Sequence, residues 1–253
     1  MSDPRFRIER TIGDVCEAVV VADDTRVAIK GLRALDAAQR ARLLKISPQL
    51  STLHENIVPV LEVGPDFLVM ELVAPPRTLA DALGRPFVPA RACNIALQIL
   101  AALEATPLVH GDLRPANVFL DGDDHVRVTD FGLQYVLTVL RETRSGPTPP
   151  ARVVMYAPPE RLHGTVDLEP SADIYGVGAM LYEMVAGAPP FDAQQSVFTL
   201  NIDAQTAMPP PLADQSLDAI VQRAMSKDPG MRFASATEMA EAVRRARAGA
   251  MSS

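Results

Sequence analysis

Cysteine is scarce: Cys16 and Cys93 are the only two in 253 residues, and they lie far apart in the chain. That excludes a disulfide framework and points to a reduced, cytoplasmic protein. Positive charge is also outnumbered, with 24 Lys and Arg against 31 Asp and Glu and a net charge of −7. Such a balance argues against a general nucleic-acid or anionic-membrane surface. Long apolar runs are missing too. The most apolar stretches, Asn94–Leu103 and Val177–Ala188, are short or carry Glu183, so no membrane span is expected. The opening residues MSDPRFRIER lack the apolar stretch of a signal peptide. His54, His125 and His163 are scattered and form no metal-ligand spacing. No internal repeat is present.

What is present suffices for a real core. Apolar residues make up 48% of the chain and charged ones 22%, which excludes global disorder. Up to about Leu72 the pattern is that of short strands. Phe6–Ile12, Ala18–Ala22, Arg26–Leu32, Ile57–Val63 and Phe67–Leu72 are rich in Val and Ile and bounded by turn residues. Asp23-Asp24 signals a tight turn between two of them. One helix is expected at about Asp36–Ile46, with Pro48 limiting its extent. After Pro75-Pro76 the chain reads as helical. Pro89–Glu104 places Ile95, Ile99, Ala102 and Leu103 on one face, and Leu217, Ile220, Val221 and Ala224 repeat that spacing. Ser235 with Glu238 reads as a capping box opening the last helix.

The chemistry concentrates in two stretches, HGDLRPANVFL (His110–Leu120) and VTDFGL (Val128–Leu133). Asp112 is placed to take a proton from an attacking hydroxyl. Asn117 and Asp130 offer the oxygen donors that a hard cation such as Mg prefers. With VAIK (Val27–Lys30) upstream, these form an ordered set: Lys, then Asp-x-x-x-x-Asn, then Asp-Phe-Gly. Each residue also has a plainer reading: a strand-end lysine for Lys30, loop caps for Asp112 and Asn117, a turn aspartate for Asp130. The shared order and spacing outweigh those separate accounts.

The set resembles a eukaryotic-type Ser/Thr protein kinase domain of the bacterial kind, over about Phe6 to Arg247. MYAPPERL (Met155–Leu162) resembles the Ala-Pro-Glu end of an activation segment, and SADIYGVGAMLYEMVAGAPPF (Ser171–Phe191) the buried helix after it. SKDPGMRF (Ser226–Phe233) supplies Arg232, which in the family pairs with the Glu that is Glu160 here. The resemblance implies a bilobal α+β fold forming a single domain over residues 1–253. An antiparallel β-sheet N-lobe with one helix (about 5–72) is followed by a hinge (about 71–76), a larger helical C-lobe (about 77–247) and a tail (248–253). It further implies Mg-ATP as cofactor and a protein substrate or regulatory protein partner. The catalytic set carried over is Asp112, Lys30 and Arg114, and the metal ligands are Asn117 and Asp130. The nucleotide contacts are Ile12, Gly13, Val20, Ala28, Lys30, Met70, Glu71, Val73, Asn117 and Asp130. His110 is assigned a packing role.

Several positions depart from the family pattern. In IGDVCEAVVVA (Ile12–Ala22) only Gly13 keeps a glycine where the phosphate-covering loop has three; Val15 and Ala18 fall at the others. No Glu occurs between Gly31 and His54, and Lys45 aligns near the helix Glu that should orient Lys30. If Lys45 faced the cleft it would repel Lys30, and by the family's geometry Asp130 is the nearest carboxylate, with Glu17 a weaker candidate. Gly111 replaces the Arg that reads a phosphorylated activation loop, so Thr138, Thr143, Ser145 and Thr148 lack that partner. Arg114 replaces a Lys, keeping the charge but not the geometry. Val153 replaces a Thr that bonds the catalytic Asp. Two function classes follow: a weak or unusually regulated Ser/Thr kinase, and a pseudokinase serving as nucleotide-binding scaffold or regulatory module.

Overall fold

The structure is a computed structural model describing residues 3–12, 15–32, 35–137, 151–165, 169–192 and 194–250. Gly13 and the candidate phosphate acceptors Thr138, Thr143, Ser145 and Thr148 lie outside the described residues.

The first part of the chain is a five-stranded sheet built from β1 (Phe6–Ile12), β2 (Val15–Val20), β3 (Arg26–Gly31), β4 (Val60–Val63) and β5 (Phe67–Glu71). The order is β1-β2-β3-β5-β4, every pair antiparallel. Asp24 takes a positive φ of 58° in the β2–β3 turn, a conformation Asp tolerates better than most residues. The two strand faces carry different cores. Ala18, Val27, Ile29, Phe67 and Val69 pack on one side with Phe6 and Val20. Ala28, Leu68 and Met70 pack on the other, against helix α1 (Ala37–Leu50).

Helix α1 opens on a reciprocal cap. Asp36 accepts from the Gln39 N–H at 2.8 Å, and the Gln39 side chain accepts from the Asp36 N–H at 3.0 Å. Pro48 does not end it, contrary to the sequence expectation; the helix runs on to Leu50. Proline removes the N–H that would reach the Leu44 carbonyl. The Ser47 hydroxyl donates to that same carbonyl at 2.9 Å and takes over the lost bond.

The rest is helical around α3 (Pro89–Glu104) and α7 (Ser171–Ala186). Ile95, Ile99, Leu100, Tyr175, Met180 and Leu181 are fully buried there. Burying each such side chain favours folding by about 1.5–3 kcal/mol. Helix α9 (Gln215–Ala224) buries Leu217, Ile220, Val221 and Ala224, the face its spacing expects. In α10 (Ala236–Ala250) Ser235 accepts from the Glu238 N–H, but the Glu238 carboxylate reaches the Ala234 N–H instead of that of Ser235. Between the lobes, Val58 and Asn56 bond both sides of Val128 in β7 (Val126–Val128), which pairs with β6 (Val118–Leu120). Helix α4 (Leu133–Leu137) packs Leu133 and Val136 into the α1 core.

Candidate active site

Strand pairing decides which residues face the cleft. Directly opposed residues share a sheet face, and Val15, Lys30 and Leu68 are opposed across β2, β3 and β5, as are Glu17, Ala28 and Met70. Ala28, Lys30 and Met70 are thus brought together. Val20 is not: it opposes Phe6 and packs in the outer cluster, so it is withdrawn from the nucleotide contacts. The physical reason is the register of β2 against β3: Val15 opposes Lys30 and Glu17 opposes Ala28, so the roof over the cleft consists of Val15, Glu17 and Val19, with Ile12 opposite Val15. Ala18 lies on the outer face with Val20. Glu71 is exposed, and the Arg127 guanidinium donating to it at 2.7 Å holds its carboxyl below the usual range. Val73 is half-buried beside the α1 core.

Across the cleft, Lys30 Nζ reaches Asp130 Oδ2 at 2.5 Å, with both side chains largely buried. This is the partner expected once α1 offered no carboxylate. Lys45 does not face the cleft; it is exposed, because Leu43, Ile46 and Leu50 define the buried face of α1. Asp130 itself sits at φ +69°, a left-handed conformation that Asp tolerates better than most residues. Gly132 follows at φ +69°, and a Cβ there would come within 2.9 Å of Ile46 Cδ1. No other residue fits at that point without strain.

The loop carrying the candidate base is held from behind. Asp173, in the first turn of α7, accepts from the His110 N–H at 2.7 Å and the Gly111 N–H at 2.8 Å, one on each oxygen. Burial pushes its carboxyl up, against the pull of those two N–H groups. Gly111 is at φ +72°, a left-handed conformation that glycine adopts without strain. His110 is a packing residue: its Nε2–H donates to the Thr129 carbonyl, its Nδ1 accepts from the Asp112 N–H, and its ring lies against Phe131.

Asp112 is held on both oxygens. Oδ1 accepts from Arg161 Nη1 at 2.7 Å; Oδ2 accepts from Arg114 Nε at 3.1 Å and Asn117 Nδ2 at 3.4 Å. Burial alone would raise its carboxyl, but the two guanidiniums outweigh burial and hold it below the usual range. The Asn117 amide nitrogen is committed to the Asp112 carbonyl at 2.8 Å, which leaves its oxygen for a cation. The Thr129 N–H bonds the Asn117 carbonyl at 3.0 Å, which sets Asn117 beside Asp130. Two neighbouring oxygen donors fit Mg, which keeps waters and takes phosphate oxygens as further ligands.

A family model described as protein kinase domain matches residues 10–243. The chain belongs to the protein kinase family. This kinase domain is 33% identical to a probable serine/threonine-protein kinase of Streptomyces coelicolor, over 86% of the chain and 36% of that protein. It is 31% identical to serine/threonine-protein kinase PrkC of Bacillus subtilis, over 93% of the chain and 39% of that protein. It therefore spans well under half the length of these relatives. Among solved structures, a variant of the PknI kinase domain of Mycobacterium tuberculosis has the same fold, with a TM-score of 0.71, 22% identity and 97% of each chain covered.

The kinase fold accounts for the buried Arg232, which pairs with Glu160 through both nitrogens at 2.7 and 2.8 Å as the resemblance implied. Three features escaped the sequence reading. Asp173 was signalled only by a carboxylate in a largely apolar helix that also carries Glu183. Tyr156 donates to the buried Glu183, joining the segment before α6 (Pro159–Leu162) to α7. Arg161 follows Glu160 and had no sequence signal at all. Among the described residues no helix is long and apolar enough to cross a membrane.

Proposed function

We propose that this domain transfers the γ-phosphate of Mg-ATP to Ser or Thr hydroxyls of a protein. The observation carrying this is the convergence of Lys30, Asp130, Asn117 and Asp112 in one cleft, joined by hydrogen bonds from β3 to the catalytic loop. Asp112 is the group that accepts the acceptor's proton, and Arg114 beside it steadies the charge. Asn117 and Asp130 would hold the metal, which neutralises phosphate charge when bound. Lys30 is the cation for the nucleotide phosphates. Ile12, Ala28, Met70, Glu71 and Val73 form the adenine end, with Gly13 at the loop. Pro115-Ala116-Asn117 supports Ser/Thr acceptors, and the relatives' names agree. The free thiols Cys16 and Cys93 support a reducing, cytoplasmic setting.

The test is phosphate transfer from labelled ATP to the protein itself and to a generic protein, with an Asp112→Asn variant as control. Transfer is expected to fall by at least about a hundredfold in the variant, the scale of losing a general base. Stabilisation by ATP with Mg but not by ATP with chelator is expected in both proteins. The engagement of both Asp112 oxygens favours one competing reading, a nucleotide-binding pseudokinase. Stabilisation without transfer would establish that reading instead.

A further inference from the structure

Helix α1 offers Lys30 no carboxylate, yet it reaches the metal end of the cleft from another side. Residues four apart on a helix share a face, so Arg42 and Ile46 stand one above the other. Ile46 lies against Gly132, where a Cβ would come within 2.9 Å of its Cδ1. A little further along the chain, Arg42 Nη1 donates to the Tyr135 carbonyl at 3.2 Å. The same guanidinium lies over the Tyr135 ring, 5.2 Å from its centre. Between these contacts, Leu133 and Val136 of α4 share a core with Leu43 and Ile46 of α1.

Helix α4 needs this support. It has five residues, too few to hold a helix in water unaided. The Tyr135 carbonyl lies in its last turn, where carbonyls have no donor inside the helix and the dipole favours a cation. Arg42 supplies both the donor and the charge. The other end of α4 is tied to the metal ligand. The Leu133 N–H donates to the Asp130 carbonyl and the Val136 N–H to the Gly132 carbonyl, each at 3.3 Å. The chain turns here through two left-handed residues, Asp130 and Gly132, both at φ +69°. The turn is held from two directions: Lys30 on β3 takes the Asp130 carboxylate, and Arg42 on α1 takes the helix that follows.

Resting on the proposed phosphate transfer, we infer that Arg42 is a positioning residue, which caps α4 and thereby sets Asp130 for the metal. It is the contribution of α1 to the site in a chain whose α1 lacks the family's Glu. Arg42 acts through the backbone of residues 130–135 and not by touching the nucleotide.

The experiment compares the wild type with Arg42→Ala, Arg42→Lys and Arg40→Ala. Arg40 is the control from the same helix, since it donates to the Leu35 carbonyl and not to α4. Mg is titrated against each protein at one concentration of a non-hydrolysable ATP analogue, with the melting temperature as readout. Arg42→Ala is expected to need about fivefold more Mg for half of the full stabilisation, the upper range for one cation at a helix C-terminus. Arg42→Lys should recover most of that shift, and Arg40→Ala should match the wild type. A lower melting temperature with an unmoved Mg midpoint would mean a merely structural contact and would overturn the inference. An equal shift in Arg40→Ala would overturn it too. Hydrogen exchange of the ligand-free proteins is the second measurement. The Leu133 and Val136 amides should exchange about fivefold faster in Arg42→Ala, since the same cap holds both closed. Unchanged exchange would show that α4 does not depend on Arg42, against the inference. If the wild type shows no response to Mg, exchange still decides whether Arg42 holds the turn, and the missing response counts against Asn117 and Asp130 as metal ligands.

Discussion

Asp173 shows what a single carboxylate does for the site. Its two oxygens accept from consecutive N–H groups, those of His110 and Gly111, and these precede the proposed base directly. The loop is bent there, with Gly111 in the left-handed region, and the bend needs an acceptor deep in the core to hold it. Burying that carboxylate is unfavourable, which is why its proton affinity rises, and the two N–H bonds offset part of the penalty. An amide in its place could accept on one atom only, and its NH2 would face a backbone N–H. Asp173→Asn is therefore expected to lose about 2 kcal/mol of stability, the effect of leaving a buried donor without an acceptor. Urea unfolding measures it. Phosphate transfer should fall as well, because Asp112 follows immediately. Unchanged unfolding would mean that His110 and Gly111 are held by something other than Asp173.

Helix α1 shows how an element survives a residue that should end it. Ser47 gives its hydroxyl to the Leu44 carbonyl, the acceptor that Pro48 leaves without a backbone donor. Removing the hydroxyl with Ser47→Ala should destabilise the protein by about 0.5 kcal/mol, a small effect because Leu44 is exposed and water can substitute. Pro48→Ala should stabilise it by about 1 kcal/mol through the restored bond. In the double variant the Ser47 contribution should vanish, and denaturant unfolding of the four proteins measures that coupling. The same helix shows which features could be read in advance. Its start falls at the expected Asp36, where Asp36 and Gln39 cap each other. Its end was not legible, because Ser47 has no sequence rule that sets it against Pro48. Helices α3 and α9 were legible through their apolar spacing, and the site through Lys30, Asp112, Asn117 and Asp130. The register of β2 was hidden: a one-residue slip against β3 places Val20 on the opposite face, and composition does not distinguish the two pairings. Arg161 was hidden for a similar reason, since its partner lies 49 positions upstream and meets it only in the folded chain.

At the scale of the whole molecule, the buried carboxylates make stability depend on pH in opposing senses. Glu183 lies under the Tyr156 hydroxyl, and burial pushes its carboxyl up although the hydrogen bond pulls the other way. Burial and the nearby Glu183 charge together push the Tyr156 hydroxyl up strongly, so it stays a donor. Asp112 is shifted down. Its contribution is present above the ordinary carboxylate range and is lost only as pH falls through its lowered value. Glu183 behaves in reverse. Below its ordinary value of 4.5 the proton is bound in folded and unfolded chains alike. As pH rises past that point the unfolded chain ionises first, and stability drains until the folded carboxyl ionises too. Glu183→Gln keeps an oxygen for Tyr156 and removes the titration. Melting temperatures of the two proteins should therefore coincide in acid and separate above pH 4.5, with the variant the more stable. Parallel curves across the whole range would show that Glu183 does not titrate between the two states. A variant less stable at every pH would show that the Tyr156 contact needs a carboxyl and not merely an acceptor.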